Sequence, residues 1–270
     1  METLKLGFVG IIQGISELLP ISSSAHMLLL GELLKINVTS SLLILFHLGT
    51  TVAVIIFLRK QLFKNLFSKK KLLFYIKILI ATLPAGIVGF LFNDIISKHL
   101  RKHWILAISL ILWGIVMIVL EARKDKKEEI KKEKVSTVEN ITLKQAFLIG
   151  LSQTIALIPG TSRSGITTIA GIFLGLPKYV ALKFSFTLSI PVLLGSFAWF
   201  LAKSFKSTNG ISGVITQPIY LNILTIFLTT FIFGLISMKL LRKAKKKKWL
   251  TFFGIYRIIL GIVVLSVSYL

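Results

Sequence analysis

The chain has 270 residues, 54% of them hydrophobic, with 33 lysines and arginines against 10 acidic residues and no cysteine. A formal charge of +23 would suit nucleic acid on a soluble surface. Here the apolar residues gather in blocks long enough to cross a hydrocarbon core, which excludes a soluble nucleic-acid-binding domain and predicts an all-α membrane protein. The lack of cysteine excludes disulfides and thiol chemistry.

The first predicted element, about residues 4–34, is not an ordinary span. Glu17, Pro20, the serines Ser22, Ser23 and Ser24, and His26 interrupt it. Irregular backbone at membrane depth survives only where protein buries it or water reaches it. The segment therefore reads as a re-entrant hairpin, two half-helices joined at a proline and a hydroxyl run, and not as a cleavable signal. Three spans are predicted next, at about 41–58, 72–92 and 104–120. A lysine- and glutamate-rich linker follows at 121–140, to which no chemistry is assigned. A second hairpin at about 144–176, broken at Pro159-Gly160, precedes spans at about 180–202, 219–238 and 250–270.

Gly10 to His26 and Gly150 to Thr167 read as variants of one another at an offset of about 140 residues. Phe46-His47-Leu48 and Phe186-Thr187-Leu188 keep that offset, and Trp113-Gly114-Ile115-Val116 resembles Leu260-Gly261-Ile262-Val263. Each half, 1–120 and 141–270, is thus one hairpin plus three spans. An odd number of spans turns the second half over, giving an inverted-topology repeat. The basic clusters Arg59–Lys71, Arg123–Lys144 and Lys239–Lys248 follow the first, third and fifth spans, whereas Asn93–His103 and Lys203–Gln217 are poorer in charge. The positive-inside rule makes the three basic loops cytoplasmic and leaves both termini outside. The hairpins then enter from opposite sides and their tips meet near midplane. Topology and anionic-lipid contact account for the charge; nucleic acid is not called for.

Of the ten acidic residues, Glu17 alone is set within an apolar segment. A carboxylate there costs about 3 kcal/mol on insertion scales unless it is paired or hydrated. Gln13 lies four residues earlier on the same helical face. Ser22, Ser23 and Ser24 can cap the second half-helix, and His26 beside hydroxyls and a carboxylate suits acid–base work or activation of a nucleophile. His47 in the first span is a candidate for lining the cavity. The second hairpin, Pro159-Gly160-Thr161-Ser162-Arg163-Ser164-Gly165-Ile166-Thr167, offers what an anion needs. Glycines allow close approach, and hydroxyls and free N–H groups of a helix start can cradle phosphate oxygens. Arg163 adds a planar fork that keeps its proton. Acid and imidazole stand in the first hairpin alone and the arginine in the second, which predicts one composite phosphate site.

These two runs resemble the signatures of the undecaprenyl-diphosphate phosphatase family, the integral-membrane group linked to bacitracin resistance. One is a Glu-or-Gln, three residues, Glu pattern leading into a serine–histidine run, here Gln13 to Glu17 and Pro20 to His26. The other is Pro-Gly-x-Ser-Arg-Ser-x-x-Thr, here Pro159 to Thr167. Phe184-Ser185-Phe186 with Pro191 and Gly195 also fits. Gln13 departs from the glutamate of many members, and Ser24-Ala25 from a more familiar Thr-Gly. The resemblance implies hydrolysis of a C55 polyprenyl diphosphate to the monophosphate and inorganic phosphate, recycling the lipid carrier of cell-wall synthesis. It also implies a divalent cation, Mg2+ with Ca2+ as the alternative, held by Glu17 with Gln13. In the role assignment it suggests, Glu17, Ser23, His26 and Arg163 are catalytic. Gln13, Ser22, Gly160, Ser162, Ser164 and Thr167 bind substrate; Ser23 is the candidate nucleophile, and His26 activates it or protonates the leaving phosphate. The implied setting is the bacterial cytoplasmic membrane, among its lipids, with the site opening to the outer side and a homodimer left open.

Two rivals remain. Inverted repeats with broken helices are also how secondary carriers bind anions, so a transporter or flippase for an anionic or phosphorylated lipid is the alternative. A phosphatidic-acid type of phosphatase would want two catalytic histidines, and two of the four histidines here, His99 and His103, sit in a basic loop.

Overall fold

The computed structural model describes residues 2–36, 40–100, 102–124, 137–205, 217–243 and 248–268. Most of the predicted linker (125–136), most of the poorly charged loop before the fifth span (206–216), part of the last basic cluster (244–247), Arg101 and the final two residues of the last predicted span lie outside the described residues.

In chain order the helices are α1 (Glu2–Leu18), α2 (Ser23–Leu34), α3 (Ser40–Phe63), α4 (Lys69–Leu91), a short α5 (Asn93–Ile95) running into one π-helical turn, α6 (His103–Lys124), α7 (Leu143–Ser152), α8 (Arg163–Phe173), α9 (Lys178–Phe205), α10 (Gln217–Lys243) and α11 (Trp249–Ser268). No strand occurs among the described residues. Among the described residues six helical stretches are long and apolar enough to cross a membrane: Leu42–Phe63, Lys69–Leu91, His103–Arg123, Lys178–Ala202, Leu221–Arg242 and Trp249–Val267. Each overlaps one predicted span. Their outer faces are apolar, with Leu83, Ile87 and Phe90 of α4, Leu228, Ile232 and Ile236 of α10, and Ile255, Ile259 and Ile262 of α11 all exposed. Polar Gln13, Thr50, Thr51, Thr167, Ser185 and Thr230 are buried instead. An apolar rim around a polar interior is what hydrocarbon solvent selects, and the chain is a multi-pass membrane protein.

Besides the three-residue α5, four helices are too short to join that set. α2, α7 and α8 have 12, 10 and 11 residues, a rise of about 15–18 Å, and α1 has 17. α1 packs on α2 and α7 on α8, across breaks that each contain a proline. α7 starts at a capping box between Thr142 and Gln145 and gives way to a 3-10 turn, Gln153–Leu157, before the break.

Small residues let the helices approach closely. A Cβ on Gly10 of α1 would lie 2.1 Å from Thr229 Oγ1 of α10, and one on Gly150 of α7 would lie 2.3 Å from Ala81 O of α4. Gly114 of α6 and Gly254 of α11 face one another so tightly that a Cβ on either would stand 2.7 Å from the other's carbonyl oxygen. Such contacts are the main source of helix association where lipid is as apolar as leucine. α1 therefore leans on α10, and α7 on α4. One apolar core spans both halves, joining Leu18, Val54, Phe74 and Met117 to Ile149, Ile169, Phe184 and Leu250.

Polar contacts sort the helix ends. At one end Glu121 (α6) pairs with Lys178 (α9) and accepts from Leu250 N (α11), while Glu139 pairs with Lys71 of α4 and its carbonyl accepts from Lys77. At the other end Lys5 donates to Leu34 O, Thr3 to Asn222, and His103 lies 2.8 Å from Glu32.

Candidate active site

Both breaks close in the same way. After Leu18 and Ile158 the backbone turns, and a serine then caps the next helix with a positive φ of 69°, Ser22 before α2 and Ser162 before α8. This left-handed conformation is unusual for a non-glycine residue and persists where the surroundings over-determine it. The caps lie 140 positions apart. The next residues, Ser23 and Arg163, are the first of their helices, so both project from the amino ends of helices that start at the tips. The tips touch: Gly160 N donates to Ser24 Oγ at 3.4 Å, and Ser164 Oγ donates to Leu19 O at 3.0 Å.

Glu17, at the last turn of α1 and 8% exposed, is the hub. Its Oε1 accepts from Arg163 Nη2 at 2.9 Å. Its Oε2 accepts from Ser23 Oγ at 2.7 Å and Gln13 Nε2 at 3.1 Å, and lies 3.3 Å from His47 Nε2. Two atoms beside this hub are buried without a partner, Arg163 Nη1 and Gln13 Oε1. The first is a cationic donor and the second an acceptor, so the site retains capacity for an anion and for a cation or donor.

His26 faces elsewhere. Nδ1 is 2.8 Å from Ser22 O and Nε2 is 2.6 Å from the Tyr256 hydroxyl, with the two rings stacked at 5.7 Å and 6°. A carbonyl can only accept, so Nδ1 carries the proton and Nε2 accepts from Tyr256. The group next to the Ser23 hydroxyl is the Glu17 carboxylate, not this imidazole. Ser164 and Thr167 are buried and committed within the protein: Ser164 to Leu19 O, and Thr167 to Arg163 O and Ser185 Oγ, both at 2.7 Å. Ser162 Oγ accepts from Gly165 N at 3.2 Å and shares a hydrogen bond with Ser164. Ser22 is buried and bonded to Ser24 at 3.0 Å. Gly160 has φ +89°, and a Cβ there would fall 2.3 Å from Leu106 O. Gln13, Glu17, Ser23, Arg163 and the partly exposed Ser162 thus meet around one focus, with His26 on the adjoining turn of α2.

The sequence profile described as bacitracin resistance protein BacA matches residues 7–263. The chain belongs to the bacitracin resistance protein BacA family. Among similar proteins, undecaprenyl-diphosphatase 1 of Clostridioides difficile (strain 630) is 39% identical over 280 residues, covering 100% of this chain and 97% of that protein. The undecaprenyl-diphosphatase of Lachnoclostridium phytofermentans is 38% identical, covering 98% and 96%, and that of Enterococcus faecalis 34% identical, covering 99% and 98%.

In this BacA family member three residues near the tips carry more than their sequence suggests. His47 reaches Glu17, Tyr256 holds His26, and Arg257, fully buried, donates to backbone carbonyls of both tips. A lone arginine inside an apolar span was the available signal for the last, since an intramembrane charge is costly unless it has a task.

Proposed function

We propose that the protein is an undecaprenyl-diphosphate phosphatase that cleaves the terminal phosphate from the lipid and returns the monophosphate carrier to cell-wall synthesis. The observation that carries this reading is the Arg163–Glu17 contact across the two tips at 2.9 Å, beside a guanidinium nitrogen still free to donate. A transporter needs the anion site but has no use for a serine hydrogen-bonded to a carboxylate within it. The prenyl chain stays in lipid while the diphosphate reaches the tips.

Arg163 and the N–H groups at the start of α8 receive the terminal phosphoryl oxygens, with Ser162 at the rim. Ser23 Oγ, its proton passing to Glu17, attacks the terminal phosphorus. The P–O bond to the inner phosphate breaks and the electron pair leaves with the prenyl monophosphate. Water then hydrolyses the phosphoserine to inorganic phosphate. Arg163 stabilises the equatorial charge throughout. Ser164 and Thr167 shape the cradle, and His26, held by Ser22 O and Tyr256, braces the turn of α2 that carries Ser23.

A divalent cation fits in a restricted way. Glu17 already accepts several donors, and no group of three His, Cys, Asp or Glu side chains comes together among the described residues. Gln13 Oε1 is a buried acceptor in want of a partner. Gln13 and one Glu17 oxygen therefore suit a Mg2+ that arrives on the diphosphate, where it would neutralise charge.

The reciprocal packing of the hairpins and the paired Ser22 and Ser162 caps support an inverted repeat with two re-entrant hairpins. The basic clusters support cytoplasmic loops, outer termini and a site open to the outer side. The test is phosphate release from a long-chain polyprenyl diphosphate by purified protein in detergent, with a search for phosphoserine at Ser23. Release with a trapped adduct is expected. A protein that binds the lipid but frees no phosphate would instead be a carrier.

A further inference from the structure

We infer that Tyr256 and Arg257, consecutive residues of α11, are positioning residues that set Ser23, His26 and Arg163 for the reaction; the inference rests on the phosphatase reading. Arg257 is 0% exposed. Its Nη1 donates to Pro20 O at 3.2 Å in the first tip. Its Nη2 donates to Gly160 O at 2.7 Å and Thr161 O at 3.0 Å in the second, and its Nε lies 3.5 Å from Leu110 O of α6. A planar fork with several donors can grip two separate backbone segments at once.

The gripped carbonyls have a particular place in the chain. Pro20 and Gly160 each lie two residues before a serine cap with φ 69°, and Ser23 and Arg163 come directly after those caps. Fixing the carbonyls fixes the entry into both strained caps, and so the direction in which the hydroxyl and the guanidinium leave their helices. The fold makes room for the fork: a Cβ on Gly165 would stand 3.3 Å from Arg257 Nη1. No carboxylate lies within ion-pair distance of Arg257 among the described residues, so its charge stays uncompensated behind the tips and favours an anion in front of them.

Tyr256 acts on the same tip from the side. Its hydroxyl donates to His26 Nε2 at 2.6 Å, and its ring stacks on the imidazole. With Nδ1 held by Ser22 O, the histidine is fixed at both nitrogens. α11 thus frames one site built from both hairpins.

The experiment compares the native protein with Arg257→Lys and Tyr256→Phe in detergent, using long-chain prenyl diphosphate. A methylene-bridged prenyl diphosphonate counts intact sites, so that turnover is expressed per binding site. A purely structural role lowers the number of sites and leaves the turnover of each unchanged. Turnover per site should fall at least tenfold in Arg257→Lys, which keeps the charge but loses the fork, and at least threefold in Tyr256→Phe, which loses one oxygen. Unchanged per-site turnover in either variant overturns the inference. If Arg257→Lys leaves no sites to count, Tyr256→Phe decides alone. Absence of hydrolysis by the native protein would overturn the underlying reading together with this one, whereas a working native enzyme with unaffected variants overturns this inference alone.

Discussion

At the residue scale the site is governed by what surrounds one carboxylate. Glu17 draws hydrogen bonds from α1, α2 and α8 and stands beside His47 of α3, so its placement depends on four helices. In the proposed reaction a second carboxylate at position 13 would face the cation, and the Gln13 carbonyl oxygen is buried without a donor. Gln13→Glu should therefore lower the Mg2+ concentration for half-maximal hydrolysis, by about tenfold or more given the charge added at close range. A cation titration of phosphate release checks it; an unchanged midpoint would remove Gln13 from the cation. Glu17, Ser23 and Arg163 were legible in the sequence because charge and hydroxyls stand out in apolar surroundings. Arg257 stands out in its apolar span as well, but its task did not, because its partners are backbone carbonyls, which leave no trace in residue identity. Nor could sequence tell that Ser164 and Thr167 turn inward, since both hydroxyls are captured by groups set through tertiary packing, Leu19 O and Ser185.

At the scale of elements, the breaks are the informative parts. The spans followed from apolar length, and the break after α1 from the conflict between that length and Glu17, Pro20 and the serine run. Ser22 and Ser162 entering the left-handed region was beyond sequence, because serine has no preference for it; contacts between the tips impose it. Two glycines separate conformation from space. Gly175, φ +87°, has nothing within 4 Å of an added Cβ, whereas Gly160, φ +89°, would collide with Leu106 O at 2.3 Å. Gly175→Ala should cost about 1 kcal/mol of stability from backbone strain alone. Gly160→Ala should cost several times that and lower hydrolysis as well. Thermal unfolding in detergent, read beside activity, checks both; equal losses would mean that the close approach to α6 is unimportant.

At the scale of the whole molecule, the halves are interlocked. α1 rests on α10 and α7 on α4, and Glu139, at the end of the linker, is tied to α4 through Lys71 at 2.9 Å and through Lys77. The hydrogen bond from Lys71, aided by the charges of Lys71, Lys70 and Lys183, holds the Glu139 carboxyl below its ordinary range against the opposing effect of burial. A depressed carboxyl contributes stability that is complete above its unfolded value and is lost as pH falls through the folded value. Native protein should therefore lose thermal stability as pH drops below about 4, and Glu139→Gln should start lower and depend less on pH across that window. Identical pH profiles would detach the linker from the stability of α4.

The way residues 1–120 and 141–270 support one another was not readable in the sequence, because glycine contacts such as Gly10 with Thr229 depend on docking. What the two halves jointly produce is one polar cluster, in which Glu17 of the first break meets Arg163 of the second at 2.9 Å. A double-mutant cycle on phosphate release from prenyl diphosphate, with Glu17→Gln, Arg163→Lys and the pair together, tests this most directly. Each single variant should lose about a hundredfold or more in kcat/KM, and the double variant little beyond the worse of the two. Losses that multiply, as for groups working apart, or near-native turnover in either single variant, would contradict a shared site.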